Sequence, residues 1–479
     1  MYKGIVFNII YNLLFVIVGY GIHFVLGYSM TPAQYGIMGS ILTILDFEYL
    51  FLNNGVRQSL SKEISSQRYN ILDIILKGLI FQFILIALIF FINYFGAGLF
   101  AGILNDDNIS RYIKIAAFLI PFNGLYVITV GINEGIHKFV CSAAIGYVYS
   151  IFKLSVIPFV LFIFEDPIFG AEMGYLAGII AALAMGIIML VINKKHLHSN
   201  IEKSIPFGYY VKNTLNFSLF FIIVSVVLSV DTLIVKAVIK QGEMAGFYTG
   251  AVNFAKVAYF VLSAFFTIML PAITEKYTKG KFEEASKTIK NILIIILAFV
   301  MPLAVIISSS SENLLIAFYN EKYIAAADTL MLLVWAHFFM GLTVMFNMII
   351  AAANEKKFSS ILAIVVVSLD IFSGVILTKG FGITGMALAV VLSTVSALAA
   401  SMQYARKFYK NIYDIAQAKI LGINILLWII LKLVFTHIYV KNIFMIGILY
   451  IIVYIVYILL LQVLRIINIK KMLTDILKK

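Results

Sequence analysis

Charge is scarce in this sequence. Asp, Glu, Lys and Arg make up 12% of the 479 residues, and 62% are hydrophobic. Soluble domains carry roughly 25% charged residues, and a water-soluble core cannot absorb such an apolar surplus. Cysteine is nearly absent. The single Cys141 excludes a disulfide framework and a cysteine-based metal site, and reads as a small buried apolar residue. No Walker A sequence, HExxH or nucleophile elbow is present, so no ATP hydrolysis by this chain is expected. The six histidines, at 23, 137, 196, 198, 337 and 437, are scattered. No polar stretch is long enough for a soluble catalytic domain. An enzyme reading is left only with a membrane-embedded transferase or glycan polymerase. The net charge of +13 has no basic soluble module to carry it, so nucleic acid is not an expected partner.

What the chain does have is long apolar runs. About 20 such residues span a hydrocarbon core of ~30 Å as a helix. Fourteen runs stand out, at 5–28, 36–58, 74–96, 113–133, 141–163, 172–192, 214–236, 248–270, 289–308, 327–352, 359–379, 383–404, 419–438 and 443–467. The first is too long for a signal-peptide core and lacks a small-residue cleavage site, so it reads as a retained helix. Of the 36 Lys and Arg, 24 fall at the N-terminus, in alternate connections and in the tail, against six on the opposite side. That bias places both termini in the cytoplasm and makes the helix count even. Gly380-Phe381-Gly382-Ile383-Thr384-Gly385 matches G-x-G-x-x-G. It joins two apolar runs with no strand before it, so it reads as a tight extracellular turn, not a nucleotide site.

The longest polar connection, 193–213, follows the sixth run, and Pro206 stops it from continuing as one helix. It divides an N-terminal lobe at 1–192 from a C-terminal lobe at 214–404, with residues 405–479 forming two appended helices and a basic tail. Three landmarks recur about 210–220 residues apart: Gln34-Tyr35-Gly36 with Gly246-Phe247-Tyr248, Asn133-Glu134 with Asn354-Glu355, and Gly174-Tyr175 with Gly385-Met386. The expected fold is all-α and polytopic, with two six-helix lobes related by a pseudo-two-fold axis along the membrane normal.

A charge at mid-bilayer costs about 2.5–3.5 kcal/mol on insertion scales and so faces the bundle interior or water. Asp46, Asn53 and Arg57 fall on one line of the second helix at 100° per residue. Lys256, Tyr259, Ser263 and Thr267 do the same in the eighth. Asn8, Asn12, Gly19 and His23 share one side of the first, and Ser218, Ser225, Ser229 and Thr232 one side of the seventh. These lines are read as lining a central aqueous cavity. Small-residue lines also serve as packing faces, and Arg57 also reads as snorkelling to the interface. Lys153 sits near the middle of the fifth helix. Lys77 reads as snorkelling at a helix end, Lys432 as contacting a lipid headgroup, and Glu48 has no assigned role. A second polar set is Asp231, Ser368, Asp370, Ser393 and Thr394, whose carboxylates and hydroxyls suit Na⁺ or H⁺ carriage.

Two stretches carry a resemblance. They are Leu26-Gly27-Tyr28-Ser29-Met30-Thr31-Pro32-Ala33-Gln34-Tyr35-Gly36 and Asn54-Gly55-Val56-Arg57-Gln58-Ser59-Leu60-Ser61-Lys62-Glu63. They resemble the start of polysaccharide-biosynthesis membrane proteins, the oligosaccharide flippases of the multidrug/oligosaccharidyl-lipid/polysaccharide exporter superfamily. Asp231-Thr232-Leu233-Ile234, Gly246-Phe247-Tyr248-Thr249-Gly250-Ala251 and Leu270-Pro271-Ala272 resemble the second-half start of the same family. The arginine-rich signature of lipid II flippases is missing after the second helix. The resemblance implies a flippase that moves a polyprenyl-diphosphate-linked oligosaccharide to the outer leaflet of the cell membrane by alternating access. Arg57, Lys153 and Lys256 are the basic candidates for the diphosphate, beside Asp46, Asn53, Asn12 and Tyr259. Asp231, Asp370 and Thr394 occupy places comparable to a cation site of related lipid II flippases, which implies Na⁺ or H⁺ coupling. No other cofactor and no metal site is expected. The expected partners are membrane lipids and a glycan polymerase or glycosyltransferases. The alternative on this scaffold is a cation-coupled drug or metabolite exporter, which calls for an acidic cavity.

Overall fold

The computed structural model describes residues 2–197, 201–353, 355 and 357–464. The side chains of 2–13, 50, 51, 54, 216–225, 227, 228, 264, 267, 268 and 270–272 lie outside that description. Every regular element among the described residues is a helix. That is the form in which a single segment satisfies its own backbone in hydrocarbon. Nine helices among the described residues are long and apolar enough to cross a membrane. They are Ile71–Ile103, Ile109–Gly135, Phe139–Ile163, Pro167–Ile192, Phe282–Ser309, Glu321–Ala352, Lys357–Ala405, Ile415–His437 and Ile443–Val463. Helices Tyr2–Ser29, Pro32–Tyr49, Phe207–Val238 and Gly242–Thr278 lie over the other apolar runs. Lys357–Ala405 is two helices meeting at Gly382, whose φ of 61° and ψ of −144° suit glycine. That is the turn expected at 380–385.

The chain forms two compact units, Met1–Gly246 and Phe247–Lys479. In the first, Pro32–Tyr49 passes through a π-helical segment, Leu50–Val56, into Arg57–Ser65. A π turn takes in more residues than an α turn. The angular sum that put Asp46, Asn53 and Arg57 on one line therefore fails across this segment. Helix Phe207–Val238 begins inside the expected linker and packs on Pro32–Tyr49 and the π segment, within the first unit. Its far end is tied by Lys236 to Asp106 at 2.5 Å, with Lys236 buried, and by Asn105 Nδ2 donating to the Ala237 carbonyl at 2.6 Å. Gly246 is required by a close approach, since a Cβ there would sit 1.8 Å from the Pro32 carbonyl oxygen.

Residues 201–206 of the linker are fastened to the start of Ile71–Ile103. Asp73 accepts from Ser204 Oγ and from the Ile205 N–H, both at 2.8 Å. Lys77 Nζ donates to Asp73 at 2.9 Å, to Ser204 at 2.5 Å and to the Ile205 carbonyl at 2.6 Å. Lys77 is thus a clamp and does not snorkel: the linker supplies two acceptors, and Asp73 a third, where water was expected.

In the second unit, Phe282–Ile295 runs into a π segment, Ile296–Val300, followed by Pro302, which has no N–H to give. The two C-terminal helices supply donors where the ladder is disturbed. Asn424 Nδ2 donates to the Leu297 carbonyl at 3.2 Å, and Tyr454 O–H to the Phe299 carbonyl at 2.9 Å. Trp335 and Trp428 both donate their indole N–H to Ser308 Oγ, at 3.0 and 3.1 Å. Val305, Ile306, Leu431 and Phe435 close the apolar core beneath these bonds. The appended pair therefore completes this unit. Asn424 is wholly buried and also donates to Tyr457 Oη at 2.8 Å. Asn424→Leu leaves these acceptors unpaired and is expected to cost about 1–3 kcal/mol. A detergent melting curve checks this, and a Tm equal to that of the parent protein would contradict it.

Candidate functional site

The π segment and the helix after it present Asn53 and Arg57 to helix Leu119–Gly135. Asn123 Nδ2 donates to Asn53 Oδ1 at 3.0 Å. Arg57 Nε donates to Glu134 Oε2 at 3.0 Å, and its Nη2 meets Glu134 Oε1, a two-pronged pair. Ser142 Oγ adds a third donor to Glu134 at 3.2 Å. The approach is close because Gly131 faces the Arg57 backbone, where a Cβ would lie 3.0 Å away. The Arg57 side chain keeps 41% exposure. It is therefore neither fully buried nor simply reaching for interface water. It is a guanidinium held by a carboxylate, with part of its surface still accessible.

Lys153 is enclosed. Its ammonium stands over the rings of Tyr175 at 4.7 Å, Phe15 at 5.2 Å and Tyr149 at 5.8 Å. Aromatic faces attract a cation through their quadrupole, most strongly where water is removed, and Lys153 is 9% exposed. Asp46, exposed on helix Pro32–Tyr49, lies near enough to act electrostatically on it. Asp46 and Lys153 are thus brought into one neighbourhood, while Asn53 and Arg57 belong to another along the same broken helix. Glu48 accepts a hydrogen bond from Asn93 Nδ2. The side chain of Asn12 lies outside those described, as do Asn8, Ser218, Ser225 and Thr267.

In the second unit, Lys256 is partly buried on helix Gly242–Thr278 and acts electrostatically on the buried His337. His337 Nδ1 lies 2.9 Å from the Leu333 carbonyl oxygen. Tyr259 is buried one turn on, edge-to-face with Phe260 and Phe266. Asp370 is fully buried and accepts from Ser393 Oγ at 3.1 Å across the Gly382 turn. Thr394 is beside it in sequence, but its hydroxyl bonds the Val390 and Val391 carbonyls of its own helix, and Ser368 likewise bonds Ile364. Asp231 belongs to the first unit, where its carboxylate accepts from the Thr232 N–H at 2.8 Å. Among the described residues no three His, Cys, Asp or Glu side chains gather as metal ligands.

Sequence reasoning missed Glu134, Asn123 and the rings around Lys153. Asn133-Glu134 stood out only as a repeated landmark. Of the partners of Lys153, Tyr149 lies one turn back on the same helix, at a spacing the sequence offers, while Phe15 and Tyr175 come from two other helices and no local spacing announces them.

These differences in exposure lead to an accessibility pattern. In a Cys141→Ser background, cysteine placed at 46 should react readily with a membrane-impermeant maleimide, at 57 more slowly, and at 153 roughly tenfold more slowly than at 46, since a buried thiol is shielded. Equal labelling at 46 and 153 would break the geometry described here.

The solved structures that this fold is similar to are transporters. A lipid II flippase, MurJ, in an inward closed conformation matches with a TM-score of 0.73 at 16% identity, covering 96% of this chain and 98% of that one. An inward-facing multidrug resistance transporter of the MATE family matches with a TM-score of 0.69 at 13% identity, covering 81% and 93%. A MOP-superfamily transporter from Pyrococcus furiosus matches with a TM-score of 0.57 at 14% identity, covering 84% and 92%. At these identities the likeness is one of fold. No curated protein matches the sequence. The family model described as "Polysaccharide biosynthesis protein" matches residues 1–277. With that match over more than half its length, this multi-pass helical membrane protein, which has the fold of MOP-superfamily transporters, belongs to the polysaccharide biosynthesis protein family.

Proposed function

We propose that this protein is a flippase that moves a polyprenyl-diphosphate-linked oligosaccharide from the cytoplasmic to the outer leaflet of the cell membrane, with both termini cytoplasmic. The observation that carries the reading is the placement of cations in the helices that lie over apolar runs of a member of this family, Lys153 among them in the candidate span Phe139–Ile163. Arg57 and Lys153 lie in the first unit and Lys256 in the second. Charges are not kept inside a membrane without use. A diphosphate is the anion that matches them, and a guanidinium grips it with two parallel hydrogen bonds. In the resting state Glu134 occupies that fork. Cargo phosphate takes the place of the carboxylate, so the site is neither bare nor permanently filled.

The cargo needs such a route. Each sugar hydroxyl stripped of water without a new partner costs roughly 2–7 kcal/mol, while the polyprenyl tail is at home in lipid. An interior-negative potential favours outward movement of an anion by about 2.3 kcal/mol per charge per 100 mV. Inward Na⁺ or H⁺ adds to this through Asp231, Asp370 and Thr394, with Ser393 as the hydroxyl on Asp370. Membrane lipids and a glycan polymerase or glycosyltransferase are the partners this reading calls for.

Arg57→Ala and Lys256→Ala are each expected to reduce surface glycan to the level of a strain lacking the gene, with the protein still present in the membrane. Glycan at the parental level in both variants would remove these residues from the mechanism. Resistance to cationic drugs, with glycan unaffected by loss of the gene, would establish the exporter reading instead. Asp231→Asn should weaken the dependence of transport on a cation gradient, and full dependence would refute its role.

A further inference from the structure

A cavity of about 540 Å³ lies in the first unit between helix Ile71–Ile103 and helix Ile109–Ala117. Tyr94 of the former lines it, with Ser110, Arg111, Lys114, Ile115 and Phe118 on and just after the latter. Arg111, Lys114 and Phe118 recur at spacings of three and four, so they share one side of their helix. The floor is aromatic. Tyr94 stacks on Phe90 with centroids 5.6 Å apart and planes 10° apart, and both rings meet Phe118 edge-on, at 6.0 and 5.4 Å. Phe95, whose ring meets that of Tyr94 at 5.4 Å, is 74% exposed, so an apolar surface adjoins the cavity.

The polar groups of this cavity are not used up by the protein. Arg111 stands 3.8 Å from Asp166, beyond hydrogen-bond distance, and over the Tyr112 ring at 5.7 Å. Asp166 already accepts from the Tyr112 O–H at 2.8 Å and caps its own helix. Among the described residues, the side chains of Lys114, Ser110 and Tyr94 make no hydrogen bond or ion pair. Arg111 and Lys114 sit at the start of the apolar run 113–133, and Tyr94 near the end of the run 74–96. The cavity is therefore level with the boundary between hydrocarbon and headgroups. The bias of basic residues assigns this end of the helices to the outside, where Lys and Arg are few, so setting the orientation of the chain does not account for two cations here.

Two cations, two hydroxyls and an aromatic floor beside an apolar surface match an amphiphile with an anionic head. Inorganic phosphate would use the cations and leave the floor bare. No carboxylate lines the cavity, so the ammonium of a zwitterionic headgroup would meet two like charges. We propose that this cavity holds the headgroup of an anionic phospholipid, with its phosphate on Arg111 and Lys114, its headgroup hydroxyls on Ser110 and Tyr94, and its chains beside Phe118 and Phe95. A guanidinium and an ammonium one turn apart grip phosphate oxygens from one side. The site asks nothing of the cargo and stands apart from the flippase reading.

Native mass spectrometry of the purified full chain in a neutral detergent, titrated with phosphatidylglycerol, tests this. Arg111→Gln/Lys114→Gln should lose one bound phosphatidylglycerol, with affinity for it down about tenfold. Both side chains are exposed, so the fold does not depend on them. Arg111→Lys/Lys114→Arg keeps both charges and should bind as the parent protein does. Lys240→Gln/Lys322→Gln removes the same net charge from exposed positions elsewhere and should also bind as the parent does. Unchanged binding by Arg111→Gln/Lys114→Gln, or an equal loss in either control, would overturn the site. Phosphatidylcholine held as tightly as phosphatidylglycerol would overturn the reading of headgroup charge. Displacement of the lipid by millimolar inorganic phosphate would overturn the lipid assignment and leave a site for a soluble anion.

Discussion

Hydrocarbon offers no hydrogen bonds, and most of this structure follows from that refusal. A polar group that cannot reach water must find its partner inside the protein. Where the backbone ladder is regular, helices manage this alone. Where it is not, side chains step in: at the π segment Ile296–Val300, Asn424 and Tyr454 of the two C-terminal helices donate to the Leu297 and Phe299 carbonyls. Those helices look dispensable as additions to a repeat, yet physically they complete the unit they pack on.

The same constraint shapes the charged groups. Arg57 takes Glu134, Lys236 takes Asp106, and Lys77 takes Asp73 and the linker. Lys153 takes three aromatic faces. These solutions differ in how easily they are exchanged. A bidentate guanidinium–carboxylate pair with part of the guanidinium exposed can trade one anion for another. An ammonium enclosed by rings is held by their faces instead of by a two-pronged carboxylate.

The two-unit division illustrates how packing and repetition differ. The repeated landmarks divide the chain after the sixth run, at the linker. Packing places helix Phe207–Val238 with the first unit, because it lies against Pro32–Tyr49 and the π segment, and its end is pinned by Asp106. Gly36 and Gly246, read in sequence as equivalent openings of two helices, are in contact: a Cβ on Gly36 would lie 2.7 Å from the Gly246 nitrogen.

Hydropathy was enough, by itself, to establish a helical membrane protein, and with the glycine spacing it located the turn at Gly382. Those depend on local composition and on the thickness of a bilayer, both of which act on each segment separately. The residues quoted around Gly36 and Arg57 were enough for the family. Sequence could not reveal that Arg57 would be gripped by Glu134, that Lys77 would be clamped by its own linker, or that Phe15 and Tyr175 would join Tyr149 around Lys153. It also misplaced the polar line of the second helix, because a π turn changes the angle per residue and leaves no mark in hydropathy. Partners that come from different helices are chosen by the way helices pack, and packing is settled by the shapes of whole faces at once. That choice belongs to the tertiary structure.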